Sequence, residues 1–372
     1  MKRHIIEPRF NWEQKIQEQG FLFYRNYYYE DACYEFSAAE IDHIEAATEE
    51  IFDMCLEVVQ HVIDKDLWDE FFIPRAYADL IKWSWEEDMM SFYGRFDLAY
   101  NGRDIKLLEF NADTPTLLIE ASVVQWYWLQ EYNPKLDQFN SIHEKLVDHI
   151  NNCRQYFHTN KLHLSCISTD EEDFMTTKYM EEVARQAGMN TEFLYLEHLG
   201  LNEQDQFVTG RGELIRNIFK LYPYEWMFAE EFGPFLNKNK DECFWVEPAY
   251  KAILSNKMLL KYLYELFPNS PYILPCSFGS PISKSYAKKP VFSREGANVS
   301  IFKDGKLVEA NDGDYGAEGF LYQEYFELPE FNSYHPILGS WVIGGEPAGM
   351  GIRESSNLVT NAMSRFCPHF FR

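Results

Sequence analysis

Positive charge is scarce in this 372-residue chain, where 34 lysines and arginines face 59 aspartates and glutamates for a formal charge of −25. A nucleic-acid backbone or an anionic membrane face requires a concentrated positive surface, so neither is expected as the general partner, although a local basic pocket is compatible with this balance. No apolar run approaches the ~20 residues of a membrane span. The basic start Met1-Lys2-Arg3-His4 lacks the following ~7 to 15 apolar residues of a secretory signal. The seven cysteines, Cys33, Cys55, Cys153, Cys166, Cys243, Cys276 and Cys367, are scattered, odd in number and free of any CxxC pair. That spacing supports neither a disulfide framework nor a cysteine zinc cluster, and it reads as reduced, mostly buried thiols in a cytoplasmic protein.

Apolar residues make up 46% of the chain and aromatic residues 17%. That is enough apolar surface to offset ordering entropy, so disorder is excluded. The length suits two structural lobes. Ile41, Ile44, Ala47, Ile51, Met54, Cys55, Val58 and Ile63 recur at helical spacing and predict a long amphipathic helix from Ala38 to about Asp64, with Ser37 and Glu40 forming a capping box. Helices are also expected over Leu117–Glu131, Phe139–His158 and Met175–Gly188, and buried strands over Leu162–Ser168 and Thr191–Tyr195. The alternation suggests a small parallel-sheet lobe over roughly residues 140–245. Downstream, strands are expected at Pro290–Ile301, Lys306–Ala310, Gly319–Phe326, Ser340–Ile343 and Gly349–Arg353. Asp304-Gly305, Asp312-Gly313 and Gly344-Gly345 punctuate them as antiparallel hairpins.

The run from Tyr93 to Asn111 carries the most chemistry. Two strand-like halves flank Asn101-Gly102, and alternation places Arg95 with Asp97 and Glu109 with Asn111. A two-residue turn would mix polar and apolar faces. An odd loop, or an equivalent bulge, pairs Arg95 with Glu109 and Asp97 with Leu107, giving Phe96, Leu98, Leu108 and Phe110 a shared core face. Two carboxylates and an amide carbonyl then form an all-oxygen set of the kind Mg²⁺ uses, beside a guanidinium that could hold a phosphate or carboxylate. A solvated strand face with cross-strand charge pairs is the other reading. Ala112-Asp113-Thr114-Pro115-Thr116 follows directly and offers hydroxyls and free N–H groups at a helix start. Lys289 through Ile301 could build a phosphate-covering hairpin or an ordinary one, and it lacks the GxxxxGK[ST] spacing of a P-loop. In Ser255-Asn256-Lys257, Ser255 could cap a helix whose first turn carries Lys257, where a cation is slightly disfavoured by the helix dipole.

Together these segments resemble the synthetase domain of the glutathionylspermidine synthetase family, an ATP-grasp ligase fold, and are closest to its stand-alone bacterial acid–amine ligases. The carrying residues are Arg95-Phe96-Asp97, Glu109 through Thr116, Ser255-Asn256-Lys257, Lys289 through Val299 and Gly351-Ile352-Arg353-Glu354, in the family's order. The resemblance implies an α+β or α/β architecture, ATP-grasp-like, with antiparallel sheets and helices plus a small parallel-sheet (pre-ATP-grasp) lobe. It divides the chain into a catalytic core of residues 1–139 and 246–372 and an inserted lobe of residues 140–245. It further implies Mg²⁺ at Asp97, Glu109 and Asn111, a catalytic role for Arg95, and ATP contacts from Arg95, Phe96, Asp97, Lys257, Lys289, Gly296 and Gln323. Thr114, Glu171, Glu172 and Arg353 fall at substrate positions, and Glu171-Glu172 could instead be a plain acidic helix start.

The implied reaction is ATP- and Mg²⁺-dependent amide formation between a small-molecule carboxylic acid and an amine through an acylphosphate. A glutathione-like peptide and a polyamine are the candidate substrates. Where glutathione-binding members place a Thr after a Trp-Lys pair, this chain has Phe219-Lys220-Leu221, which argues against glutathione itself. A nucleotide-binding or sensing protein on the same scaffold, without turnover, is the alternative. Nothing in these patterns selects an oligomeric state.

Overall fold

The long helix is built as its spacing demands. In a computed structural model that describes residues 1–22, 24, 25, 27–361 and 363–372, it runs Ala38–Asp64 with both halves of the Ser37/Glu40 capping box in place. Such a cap contributes about 1 kcal/mol. Ile44, Ile51, Cys55, Val58 and Val62 are fully buried along one stripe, and the Thr48 and Ser340 hydroxyls meet at 2.7 Å. The stripe covers an antiparallel sheet ordered Arg365–Cys367, Glu346–Ser355, His335–Ile343, Tyr93–Tyr100, Ile105–Asn111. Its other flank packs on the helix Met258–Leu266.

A second antiparallel sheet is ordered Cys276–Phe278, Phe320–Glu324, Tyr286–Pro290, Ser300–Lys303, Lys306–Ala310. Two expectations fail here. The strand expected over Pro290–Ile301 ends at Pro290, and residues 291–299 form a loop before pairing resumes. Glu295, Gly296 and Asn298 all have positive φ, which a strand cannot accommodate. Ser255 does not cap the following helix: its hydroxyl has no partner among the described residues, and Asn256 Oδ1 accepts from Met258 N instead.

The third sheet is parallel, ordered Phe244–Val246, Asn217–Leu221, Lys161–Cys166, Asn190–Tyr195. The helix Glu171–Gln186 makes the crossover between two adjacent strands and buries Met180, Val183 and Ala184 on the sheet. The helix expected from Leu117 begins later and irregularly, because Leu117 has φ +69° and a π-turn over Glu120–Val124 precedes Gln125–Tyr132. All seven cysteines are buried and free. No described helix is long and apolar enough to cross a membrane.

Candidate active site

The hairpin Tyr93–Tyr100/Ile105–Asn111 shows how local sequence builds the site. The turn holds residues 101–104, with Asn101 Oδ1 accepting from the N–H groups of Arg103 and Asp104 at 3.0 and 2.8 Å. From there Tyr100 faces Ile105 and Leu98 faces Leu107; a bulge then intervenes, and Asp97 faces Glu109, Phe96 faces Phe110 and Arg95 faces Asn111. The face is therefore the expected one, while the pairing differs by two residues. Leu108 is the bulged residue. It leaves the core face, where Leu107 is buried against Leu98, and lines the cleft instead. Phe96 stacks on Phe110 with centroids 4.0 Å apart, so its ring lies on the core side and can offer a ligand only its backbone.

Arg95, Asp97, Glu109 and Asn111 open into a cleft of about 850 Å³. Arg95 Nε donates to Asp97 Oδ1 at 3.1 Å and Nη1 to Thr116 O at 2.5 Å. Lys257 Nζ donates to Glu109 Oε1 at 2.6 Å and also to Ser293 O. Lys289 Nζ donates to Leu108 O and to Gln323 Oε1, both at 2.7 Å, and Gln323 Nε2 donates to Leu107 O at 2.9 Å. The bulge thus presents the carbonyl that anchors Lys289. Burial opposes charge on Glu109, but Lys257, Lys289 and Arg95 outweigh it and hold the carboxyl below its usual range. Burial also pushes the Lys289 ammonium down to about 8, against an ordinary value near 10.5.

Gly296 has φ +69°, and a Cβ there would run into the Thr360 carbonyl and Val359. Only glycine lets the 291–299 loop close over the cleft at that point. Thr114 Oγ1 accepts from Arg294 Nη1 at 2.8 Å, and Arg294 Nη2 pairs with Glu225 Oε1 at 2.6 Å while its guanidinium lies over Trp226. The Arg353 guanidinium lines the cleft and makes no hydrogen bond or ion pair among the described residues. Burial lowers its pKa, while Asp97, Glu172 and Glu295 nearby oppose that shift, so the guanidinium sits among carboxylates with no direct ion pair among the described residues.

The cleft therefore gathers Arg95, Asp97, Glu109, Asn111, Thr114, Glu172, Lys289, Gly296, Gln323 and Arg353. Lys257 reaches it through Glu109. Glu171 does not line it: that side chain is exposed at the helix start, while Glu172 turns inward. Burial raises the pKa of Glu172, and burial with Asp170 and Glu172 raises that of Asp173 to about 7. Arg294, Asp173, Glu225 and Trp226 were not singled out from sequence. Arg294 sits inside the segment that contained Lys289 and Gly296, whereas Trp226 lines the cleft and Glu225 touches it through Arg294, both placed by the turn after Asn217–Leu221.

The Asp97/Glu109/Asn111 group fits a hard divalent cation. All its donors are oxygen, Glu109 stays ionised, and the Asn111 side-chain oxygen accepts no hydrogen bond among the described residues, which leaves it open to an ion.

An oxygen triad among lysines and arginines, set between antiparallel sheets and a parallel one, defines an ATP-grasp-type architecture. The family described as glutathionylspermidine synthase preATP-grasp matches residues 3–372, and the chain belongs to that family. A protein of Haemophilus influenzae, provisionally named acid–amine ligase, is 39% identical over 380 residues, covering 96% of each chain. Trypanothione synthetase of Crithidia fasciculata is 26% identical, over 85% of this chain and 53% of its own. The bifunctional glutathionylspermidine synthetase/amidase of Escherichia coli is 24% identical, over 87% and 56%. The chain spans little more than half the length of those last two. Membership places it in the class of ATP-dependent acid–amine ligases.

Proposed function

We propose that the protein uses Mg-ATP to join a carboxylic acid, of a small peptide-like kind, to a cationic amine. The observation that carries this is the Asp97/Glu109/Asn111 triad facing Arg95, Lys289 and the unpaired Arg353 across one cleft. Residues 1–139 and 246–372 then act as the catalytic core and residues 140–245 as the lobe that brings Glu172 and Asp173 to the substrate.

Asp97, Glu109 and Asn111 would hold Mg²⁺, which supplies neutralisation of phosphate charge when bound. Arg95 is fixed by Asp97 and the Thr116 carbonyl, so it stabilises charge on a transferring phosphoryl group without reorganising. Lys257 and Lys289 are anchored to protein carbonyls and can neutralise a triphosphate. Arg353 is free to take the acid's carboxylate. Activation of that acid as an acylphosphate lets the amine attack it and release phosphate, and Glu172 and Asp173 are placed to hold the incoming ammonium in their ionised forms, whose raised pKa values make them better acceptors of its proton. Positioning and charge carry the chemistry, with no protein nucleophile.

ADP release screened over acid and amine pairs tests this. The expected result is release that depends on both substrates and disappears in Asp97→Ala. Binding of Mg-ATP without any acid- and amine-dependent release would favour the nucleotide-sensing alternative. Undetectable Mg-ATP binding, together with wild-type behaviour of Lys289→Ala, would sink both.

A further inference from the structure

Outside the cleft, one cluster on the parallel sheet has an unfilled valence. His163 on Lys161–Cys166 stands opposite Glu192 on Asn190–Tyr195 in register, so both side chains leave the sheet on one face. Glu213, just before the strand Asn217–Leu221, completes the group. One ring nitrogen and one oxygen from each carboxylate lie within 4.8 Å of one another, and none of the three residues lines the cleft.

The imidazole is only 2% exposed. Its Nδ1 lies 3.3 Å from the Asn217 carbonyl. A carbonyl can only accept, so the proton is on Nδ1 and the lone pair on Nε2. That Nε2 is buried with no partner among the described residues. The two ring nitrogens point in nearly opposite directions, and the strands of Asn217 and Glu192 flank that of His163 on opposite sides. Nε2 therefore faces the Glu192 side. A cation already occupies the carboxylates: Lys161 Nζ bridges Glu192 and Glu213 at 2.6 Å each, and Arg211 donates to Glu192. Neither makes a hydrogen bond to Nε2.

We propose that His163 Nε2, Glu192 and Glu213 form a zinc-class transition-metal site, separate from the Mg²⁺ triad, in which the ion displaces the Lys161 ammonium and water completes the coordination. One imidazole and two carboxylates suit Zn²⁺ or Co²⁺ better than Mg²⁺. The Nδ1–carbonyl contact is the outer-shell partner that orients a metal-binding histidine. Donors about 2.1 Å from a tetrahedral zinc ion stand about 3.4 Å apart. The cluster must contract by up to about 1.4 Å from the 4.8 Å limit, and Glu213, about half exposed, has the freedom to close in. An ion there pins the Glu213 turn to the sheet.

The test is Co²⁺ titration of the full chain in excess Mg²⁺, which occupies oxygen-only sites, followed by visible absorption and displacement with Zn²⁺. One equivalent of Co²⁺ should bind and be displaced. His163→Gln should weaken Zn²⁺ binding by roughly tenfold or more, and Lys161→Met should strengthen it by removing the competing ammonium. Should His163→Gln fail to fold, Glu213→Gln probes the same site from the surface and should also weaken binding. A wild-type chain with no Co²⁺ spectrum, or variants that bind Zn²⁺ as the wild type does, would overturn the proposal.

Discussion

Glu109 and Asp113 lie four residues apart on one stretch of chain and have opposite circumstances. Asp113 accepts from Lys220 Nζ on one oxygen and from Tyr224 N at 3.0 Å on the other. Lys220 in turn rests over the Tyr224 ring, and carboxylate and ammonium are 1% and 0% exposed. Burial drives both toward their neutral forms, and each resists that shift in the other. Glu109 shares one oxygen with Lys257 and keeps a side chain 28% exposed to the cleft, beside an Asn111 amide and an Arg353 guanidinium that hydrogen-bond to no described residue. A saturated ion pair ties two parts of a fold together. An unsaturated one waits for a ligand.

The largest effect should come from the unsaturated side. Arg95→Ala should lower turnover by roughly 10³-fold with little change in the melting temperature, as single-turnover ADP release and a thermal melt would show. Loss of folding instead would mean that the Arg95–Asp97 pair is structural like the other. On the saturated side, Lys220→Met leaves Asp113 buried without its partner and should cost about 3–5 kcal/mol, read as a lower urea midpoint. Adding Asp113→Leu should recover part of it. A Lys220→Met chain as stable as the wild type would erase the distinction.

A pH titration of stability sharpens the same contrast. His369 is buried in the packed interior, its Nδ1 3.0 Å from Gln125 Oε1, and burial lowers its pKa to about 3. Its folded value lies below the unfolded one, so its contribution is fully present above about 6.5 and is lost as pH falls from there toward 3, a range in which the unfolded chain binds the proton and the folded chain does not. Urea unfolding at successive pH values should show that decline, and His369→Gln should flatten it. The smallest effect is expected in the field of the whole molecule: with a charge of −25 and Glu172 and Asp173 in the cleft, added salt should raise KM for the amine a fewfold by screening its attraction. A KM that ignores salt would place the amine away from these carboxylates.

These contrasts were legible in sequence to different depths. The Ala38–Asp64 helix was readable to the residue because period and cap are both local. The face holding Arg95, Asp97, Glu109 and Asn111 was readable because alternation survives any register on one strand. Pairing was not, since one bulge at Leu108 satisfies the hydrophobic pattern with a register two residues away. Arg294, Glu225, Asp173 and Trp226 come from distant segments, and no local signal brings them together. Arg353 was reached only through the family likeness, because a lone arginine on a strand looks like any solvated one until its lack of a partner is seen.

The bulge at Leu108 has a consequence for engineering. It separates the hairpin into two phases, one set by the triad and the other by the exposed turn at residues 101–104. Parity at the tip is therefore not transmitted to the catalytic end. That tip is a natural place to splice in a fluorophore, an affinity peptide or a surface tether, whereas deleting residue 108 would leave Asp97 opposite Glu109 in an unbroken ladder and remove the carbonyl that anchors Lys289.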